Sequence, residues 1–352
     1  MGIKRHSLTN QSVHFRSGIR HELDSFIKEI DCSRAFVLST PEQTDVARDL
    51  AEKLQNITVG VFTGAKMHTP VEVTAMALEH TKSVNADCLV SVGGGSTTGL
   101  SKAIALHTDL PQIIIPTTYA GSEATPILGQ TEDGIKTTIK DDKVLPEIIL
   151  YDPELVVTLP RNLSVTSGLN AMAHAVEGLY AKDRSDDSTQ LAMDGLQYFV
   201  SSLPDVLVDP EDIKAREDTL RGAWACGTIL GTVGMALHHK LCHTLGGSFD
   251  LPHAETHAII LPHAIAYNAL AVPDLLEPLG VMLNDRNTGK AIWEFAKSLG
   301  APLSLSELGM KEDDIDLAVD IAVKNPYWNP REITREGIHK LLRNAWAGSA
   351  PE

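Results

Sequence analysis

Cys88-Leu89-Val90-Ser91-Val92-Gly93-Gly94-Gly95-Ser96-Thr97-Thr98-Gly99 is the stretch whose reading decides the fold. Residues 88–92 form a near-continuous apolar run, the pattern of a strand covered on both faces in a parallel sheet. The three glycines let the backbone come close to a ligand, and Ser96 reads as the N-cap of the helix that follows. A helix N-terminus offers unpaired N–H groups and a partial positive charge to a phosphate. By itself the turn is equally a tight strand–helix connection: the spacing is not GxGxxG, and Ser39 and Thr40 stand where an acidic residue would take a ribose. The strand–turn–helix context makes Gly93, Gly94, Gly95, Ser96 and Thr97 the expected pyrophosphate site of a dinucleotide.

Outward from this stretch the same alternation repeats. Strands are expected at 35–38, 57–62 and 113–116, and helices at 46–54, 71–84 and 96–107, which implies a mostly parallel, doubly wound sheet. Thr117, Thr118 and Ser122 follow the fourth strand at the carboxyl edge, where such sheets bind ligands, and are expected to bond phosphate, ribose or nicotinamide. Asp133-Gly134 between two extended runs signals a hairpin. Beyond Leu163 the period is helical, with helices expected at 163–182, 187–203, 213–230, 234–245, 255–268, 289–299, 313–323 and 332–346. The expected organisation is an α/β dinucleotide-binding domain over 1–160 and an all-helical catalytic domain over 161–352.

A chain of 352 residues with 43% hydrophobic content can fill two cores. Its formal net charge of −16, without a Lys/Arg cluster, argues against nucleic acid and anionic membranes. An anionic substrate therefore needs a local positive patch. Cys32, Cys88, Cys226 and Cys242 show no CxxC pairing and read as reduced thiols in the cytosol. Residues 1–20 lack the apolar core of a signal peptide, and no run of 18 apolar residues occurs, so a soluble cytoplasmic protein is expected.

The second half carries the chemistry. His239 and His243 are spaced i, i+4 on one helical face, as are Asn170 and His174. A loop containing Gly246, Gly247 and Pro252 can fold His253 back onto them. Imidazoles converging from two helices and a return loop are how a protein builds a transition-metal site. The position where a carboxylate would complete the set is Asn170. An amide is a weak, neutral ligand, so no metal is expected, and Asn170 is assigned to the substrate instead. Arg331, Lys136 and Tyr327 are candidates for substrate carboxylates. His238 and His263 read as structural.

On these residues the chain resembles the iron-containing alcohol dehydrogenases, within the fold shared with dehydroquinate synthase and glycerol dehydrogenase. The likeness runs through Gly93–Ser96, Pro116–Thr118, Tyr151–Leu155, and His243–Gly247 through Pro252-His253 to Leu261–His263. It implies metal ligands at the positions of Asn170, His174, His239 and His253, with His243 as a catalytic histidine nearby. Two positions depart from the family: an Asp ligand is Asn170, and the Asp usual beside the nicotinamide is Gly99. Together with residues 95–102, 118–126 and 325–331 these resemble the branch that reduces the double bond of maleylacetate to 3-oxoadipate. That branch implies NADH or NADPH, metal-independent catalysis, a small dicarboxylate substrate from aromatic-compound breakdown, and a homodimer.

The missing carboxylate suits that chemistry. Reducing an isolated carbonyl localises charge on one oxygen, which a Lewis acid stabilises. Hydride addition to an enone gives an enolate with spread charge, for which hydrogen-bond donors or an imidazolium suffice. A metal-free cluster of His174, His239, His243 and His253 is expected to hold protons near neutrality. The competing readings are a metal-dependent (Fe/Zn) alcohol dehydrogenase or aldehyde reductase, a lyase related to dehydroquinate synthase, and a nucleotide-binding protein without catalysis.

Overall fold

Alternate residues of the central strands fill two different cores, which is why those strands read as continuous apolar runs. Ala35 and Val37 pack into one cluster with Cys88, Val90 and Val92, while Phe36 and Leu38 pack into another with Leu89, Leu100 and Ile104. The computed structural model describes residues 7–352 and all but the side chain of Lys136 among them. Its first unit spans residues up to 159 together with 211–220, and its second spans 160–210 and 221–352.

The first unit runs β1 (Ser12–Phe15), α1 (Leu23–Glu29), β2 (Ala35–Leu38), α2 (Thr44–Leu54), β3 (Thr58–Phe62), α3 (Val71–Ser83), β4 (Cys88–Gly93), α4 (Gly95–Thr108), β5 (Gln112–Pro116), β6 (Ile127–Glu132), β7 (Ile135–Lys140) and β8 (Ile148–Tyr151). Six strands pair in parallel in the order β1-β8-β5-β4-β2-β3. From β2 the chain moves outward to β3, and from β4 it moves the other way to β5. The winding therefore reverses between β2 and β4, where ligands bind in open α/β sheets. β6 and β7 form the expected hairpin, with Asp133 and Gly134 both at positive φ as a two-residue turn requires. The strand β1 at the sheet edge was not expected from the sequence.

From residue 160 on the chain is helical: α5 (Arg161–Tyr180), α6 (Asp186–Val208), α7 (Ile213–Thr232), α8 (Leu237–Phe249), α9 (His253–Ala269), α10 (Pro273–Met282), α11 (Thr288–Ser298), α12 (Asp314–Lys324) and α13 (Arg335–Ala347), all in the second unit except the start of α7. Helix α10 was not foreseen. Residues 211–220, expected in the helical domain, belong to the first unit. Arg216, fully buried there, donates to the Tyr119 hydroxyl at 2.9 Å and to the carbonyl of Val157 at 3.2 Å. A second correction concerns the return loop. α8 runs straight through Gly246 and Gly247 and stops on Asp250 at φ 53°, so only residues 250–252 turn the chain before His253 opens α9. No described helix is long and apolar enough to cross a membrane.

Candidate active site

In the first unit the triple-glycine turn closes β4 and opens α4, with Gly94 as the N-cap. Ser96 lies inside the first turn, not at the cap, because the Gly94 carbonyl already takes the N–H groups of Thr97 and Thr98. The glycines are required by close approach. A Cβ on Gly94 would meet Thr118 at 2.8 Å, and one on Gly93 would overlap the Thr97 side chain. Gly95 differs, since its nearest neighbour would be the Ser122 hydroxyl at 4.0 Å. The Thr117 N–H donates to the Gly93 carbonyl, and the Thr117 hydroxyl accepts from the Gln43 amide at 2.7 Å. Gln43 sits just past the carboxyl end of β2, and sequence reading missed it. The hydroxyls of Thr97 and Ser122 and the amide oxygen of Gln43 are buried without partners. Buried polar groups are nearly always bonded, so these atoms are a cradle for a polar ligand such as a pyrophosphate. Thr69, held in the left-handed region at φ 47°, fills the space that a side chain at Gly99 would need.

In the second unit the histidines do converge, in two tiers. Asn170, His174, His239 and His257 are buried, whereas His243 and His253 are exposed. Ring centroids lie 5.1 Å apart for His174–His239, 6.1 Å for His239–His243, 5.2 Å for His239–His257 and 4.3 Å for His253–His257. His257 is a member the sequence reading overlooked, although His253 and His257 repeat the i, i+4 spacing. His238 packs behind the ring, its Nε2 3.0 Å from Nδ1 of His257 and 3.6 Å from the Cys242 sulfur. Burial, reinforced by repulsion from neighbouring histidines, lowers the pKa of His174, His238 and His257 well below the ordinary imidazole value. The expectation that His174 shares protons near neutrality is thereby corrected, because burial disfavours its charged form.

Glu177 organises this unit and was also overlooked, although Asn170, His174 and Glu177 at i, i+4, i+7 share one face of α5. Its carboxylate accepts the N–H of Ala236 and of His238 at 2.7 Å each, which caps α8, and Nδ1–H of His239 at 2.7 Å. The last bond fixes the tautomer and leaves Nε2 of His239 as a lone pair facing the ring.

Tyr327 joins the site as expected, with its hydroxyl 3.1 Å from Nδ1 of His243. Lys240, not foreseen, places its ammonium 5.7 Å from the centre of that ring. Arg331 does not join it. Asn329 and Asn268 exchange amide hydrogen bonds of 2.7 and 2.9 Å, which anchors the segment and turns Arg331 onto Tyr267. There its guanidinium stacks at 4.0 Å and donates to the Tyr267 carbonyl at 3.0 Å. His263 lines the cleft beside Arg331, pushed by burial to about 4. The side chain of Lys136 lies outside the described residues.

The donor set does not fit a charge-compensated divalent ion. Asn170 Oδ1, His174 Nδ1 and His239 Nε2 are buried without partners. None of the three can carry a negative charge, and the nearby carboxylate, Glu177, stands behind His239 with its oxygens already engaged.

Glu177→Gln removes the charge while keeping the shape, and turns an amide NH2 toward groups that are themselves donors. It should cost roughly 2–4 kcal/mol of stability, measured as a lower urea midpoint. An unchanged midpoint would mean that the carboxylate does not hold α8.

Two family models match the chain, "Iron-containing alcohol dehydrogenase" over residues 10–153 and "Fe-containing alcohol dehydrogenase family, C-terminal" over residues 164–346. A maleylacetate reductase from a Rhizobium species is 56% identical over 326 residues, covering 93% of each chain. The crystal structure of maleylacetate reductase from Agrobacterium tumefaciens superposes with a TM-score of 0.96 at 53% identity, covering all of both chains. Sulfoacetaldehyde reductase from Bifidobacterium kashiwanohense, solved in complex with NAD+, shares the fold at a TM-score of 0.88 and 22% identity over 98% of this chain and 99% of its own. The chain belongs to the iron-containing alcohol dehydrogenase family.

Proposed function

We propose that this chain reduces the carbon–carbon double bond of maleylacetate to 3-oxoadipate with NADH or NADPH, without a metal, in the breakdown of aromatic compounds. The observation that carries the reading is the ring of unpartnered atoms around Asn170, with no carboxylate among them, in a chain 56% identical to a maleylacetate reductase. The four cysteines are free thiols, in keeping with a cytosolic enzyme, and the likeness to that branch extends the reading to a homodimer.

Gly93–Thr97, Thr117, Thr118 and Ser122 would hold the coenzyme, whose dihydronicotinamide would supply hydride. The substrate takes that hydride at the carbon beta to its ketone and a proton at the alpha carbon. The balance is maleylacetate plus NAD(P)H plus one proton giving 3-oxoadipate plus NAD(P)+. Between the two additions the charge spreads over oxygen and carbon as an enolate, so no single strong electrophile is needed. The Asn170 amide and the buried imidazoles line the site with fixed polar atoms. His243, exposed and hydrogen-bonded to Tyr327, is placed to deliver the proton, and solvent reprotonates it. Lys240, whose ammonium lies 5.7 Å from the centre of the Tyr327 ring, is the candidate for a substrate carboxylate in place of Arg331, which stacks on Tyr267.

The direct test is NADH oxidation followed by absorbance, with maleylacetate compared against a panel of aldehydes and ketones, before and after chelation. Turnover of maleylacetate that survives chelation is the expected result. One equivalent of zinc or iron, whose removal abolishes turnover and whose return restores it, would favour a metal-dependent alcohol dehydrogenase or aldehyde reductase instead.

Gly95→Ala tests the coenzyme cradle without disturbing the fold, because a Cβ fits there and helix α4 accepts alanine. NADH affinity should fall while the melting temperature holds or rises slightly; normal affinity would dismiss the cradle.

His243→Ala should lower kcat by about 10²- to 10⁴-fold with NADH affinity and melting temperature nearly unchanged. His238→Ala, whose ring faces His257 and Cys242, should instead lose stability. Equal kinetic effects from both substitutions would remove His243 from the mechanism.

A further inference from the structure

Lys102 lies on α4, the helix opened by the triple-glycine turn, and is almost completely buried. An ammonium at such depth must find acceptors. Its Nζ donates to the main-chain carbonyls of Ser122 at 2.5 Å, Thr125 at 2.6 Å and Ile127 at 2.9 Å, and to the Thr125 hydroxyl at 3.0 Å. An ammonium has three N–H groups and here shares them among four oxygens, the cage that a bare monovalent cation would occupy. Three of the four are backbone carbonyls, so Lys102 grips the path of the chain from 122 to 127 and not a partner side chain. The neighbouring Glu123 carboxyl group, also buried, accepts the Tyr151 hydroxyl at 2.7 Å.

That gripped path starts at Ser122. Its carbonyl is held by Lys102, while its hydroxyl is buried without a partner and faces Gly95 at 4.0 Å from the space a Cβ would take. The Thr125 hydroxyl also donates to the Ser122 carbonyl at 3.0 Å, which tightens the same turn.

We propose that Lys102 is a positioning residue for the coenzyme: a tethered cation that fixes the 122–127 backbone and aims the Ser122 hydroxyl at the Gly93–Ser96 turn. The inference rests on reading that turn as the coenzyme site. Without the ammonium, the carbonyls of Thr125 and Ile127 lose the donor they share with Ser122, only the Thr125 hydroxyl is left to hold the Ser122 carbonyl, and the path loosens. The loss falls on a preformed binding surface, so it appears in coenzyme affinity and not in the chemical step. A lysine that merely stabilised the fold would leave the affinity of folded protein untouched.

The test measures NADH affinity by nicotinamide fluorescence in the wild type, Lys102→Ala and Thr125→Val, with kcat at saturating NADH alongside. Lys102→Ala should bind NADH about 10- to 100-fold more weakly, with kcat changed by less than about threefold. n-Propylammonium, which supplies the missing side-chain atoms, should restore most of the affinity. Tetramethylammonium, a cation without N–H groups, should not. Thr125→Val removes one acceptor and should weaken NADH binding by a smaller factor. A folded Lys102→Ala that binds NADH like the wild type, or that ignores propylammonium, overturns the inference. If Lys102→Ala does not fold, unchanged NADH affinity in Thr125→Val overturns it. A wild type that binds no NADH would fail the coenzyme reading itself, a result separate from any effect of the variants.

Discussion

A buried carboxylate with three donors holds the histidine ring together. Glu177 has no exposure, and its charge is tolerated because two backbone N–H groups at the start of α8 and one imidazole N–H meet it. One side chain therefore caps the helix that carries His239 and His243, sets the tautomer of His239, and ties both to α5, where Asn170 and His174 reside. The same carboxylate explains why the ring lacks a negative charge of its own. The acid is spent one layer back, on orientation, and position 170 offers an amide.

The first unit uses the opposite charge in the same way. Lys102 gathers carbonyl oxygens as Glu177 gathers N–H groups, and each organises backbone next to a set of unpartnered polar atoms. A buried ion has few tolerable surroundings, so it specifies local geometry more narrowly than an apolar contact can. The buried atoms left over, Ser122 Oγ and Thr97 Oγ1 in one unit and Asn170 Oδ1 and His239 Nε2 in the other, are where a ligand would complete the bonding.

Much of this was legible because the relevant signals are local. Residues 88–99 announce strand, turn and helix through apolar continuity and glycine, and 170–174 and 239–243 announce shared faces through helical spacing. Failures occurred where a local signal was overruled. Ser96 is a good N-cap residue, yet the Gly94 carbonyl takes that place. Gly246 and Gly247 look like a loop but continue α8, since packing of Leu241, Leu245 and Leu251 against α9 and α13 outweighs glycine's weak helix propensity. Arg331 looked like a substrate ligand because charge alone cannot show that a distant amide pair, Asn268 with Asn329, turns it onto Tyr267.

The sequence by itself determined the class of each half, the strand–glycine turn–helix at 88–107, the family, and the histidines that meet, because periodicity and spacing report which residues share a face. Only the tertiary structure decided which histidines are buried and which are exposed, that Glu177 and Lys102 are the organising groups, and that residues 211–220 belong with the first unit. Those facts depend on what lies across a packed interior. A pKa, a hydrogen-bond partner or an orphaned donor is a property of neighbours brought together from distant positions in the chain, and no window along the sequence contains them.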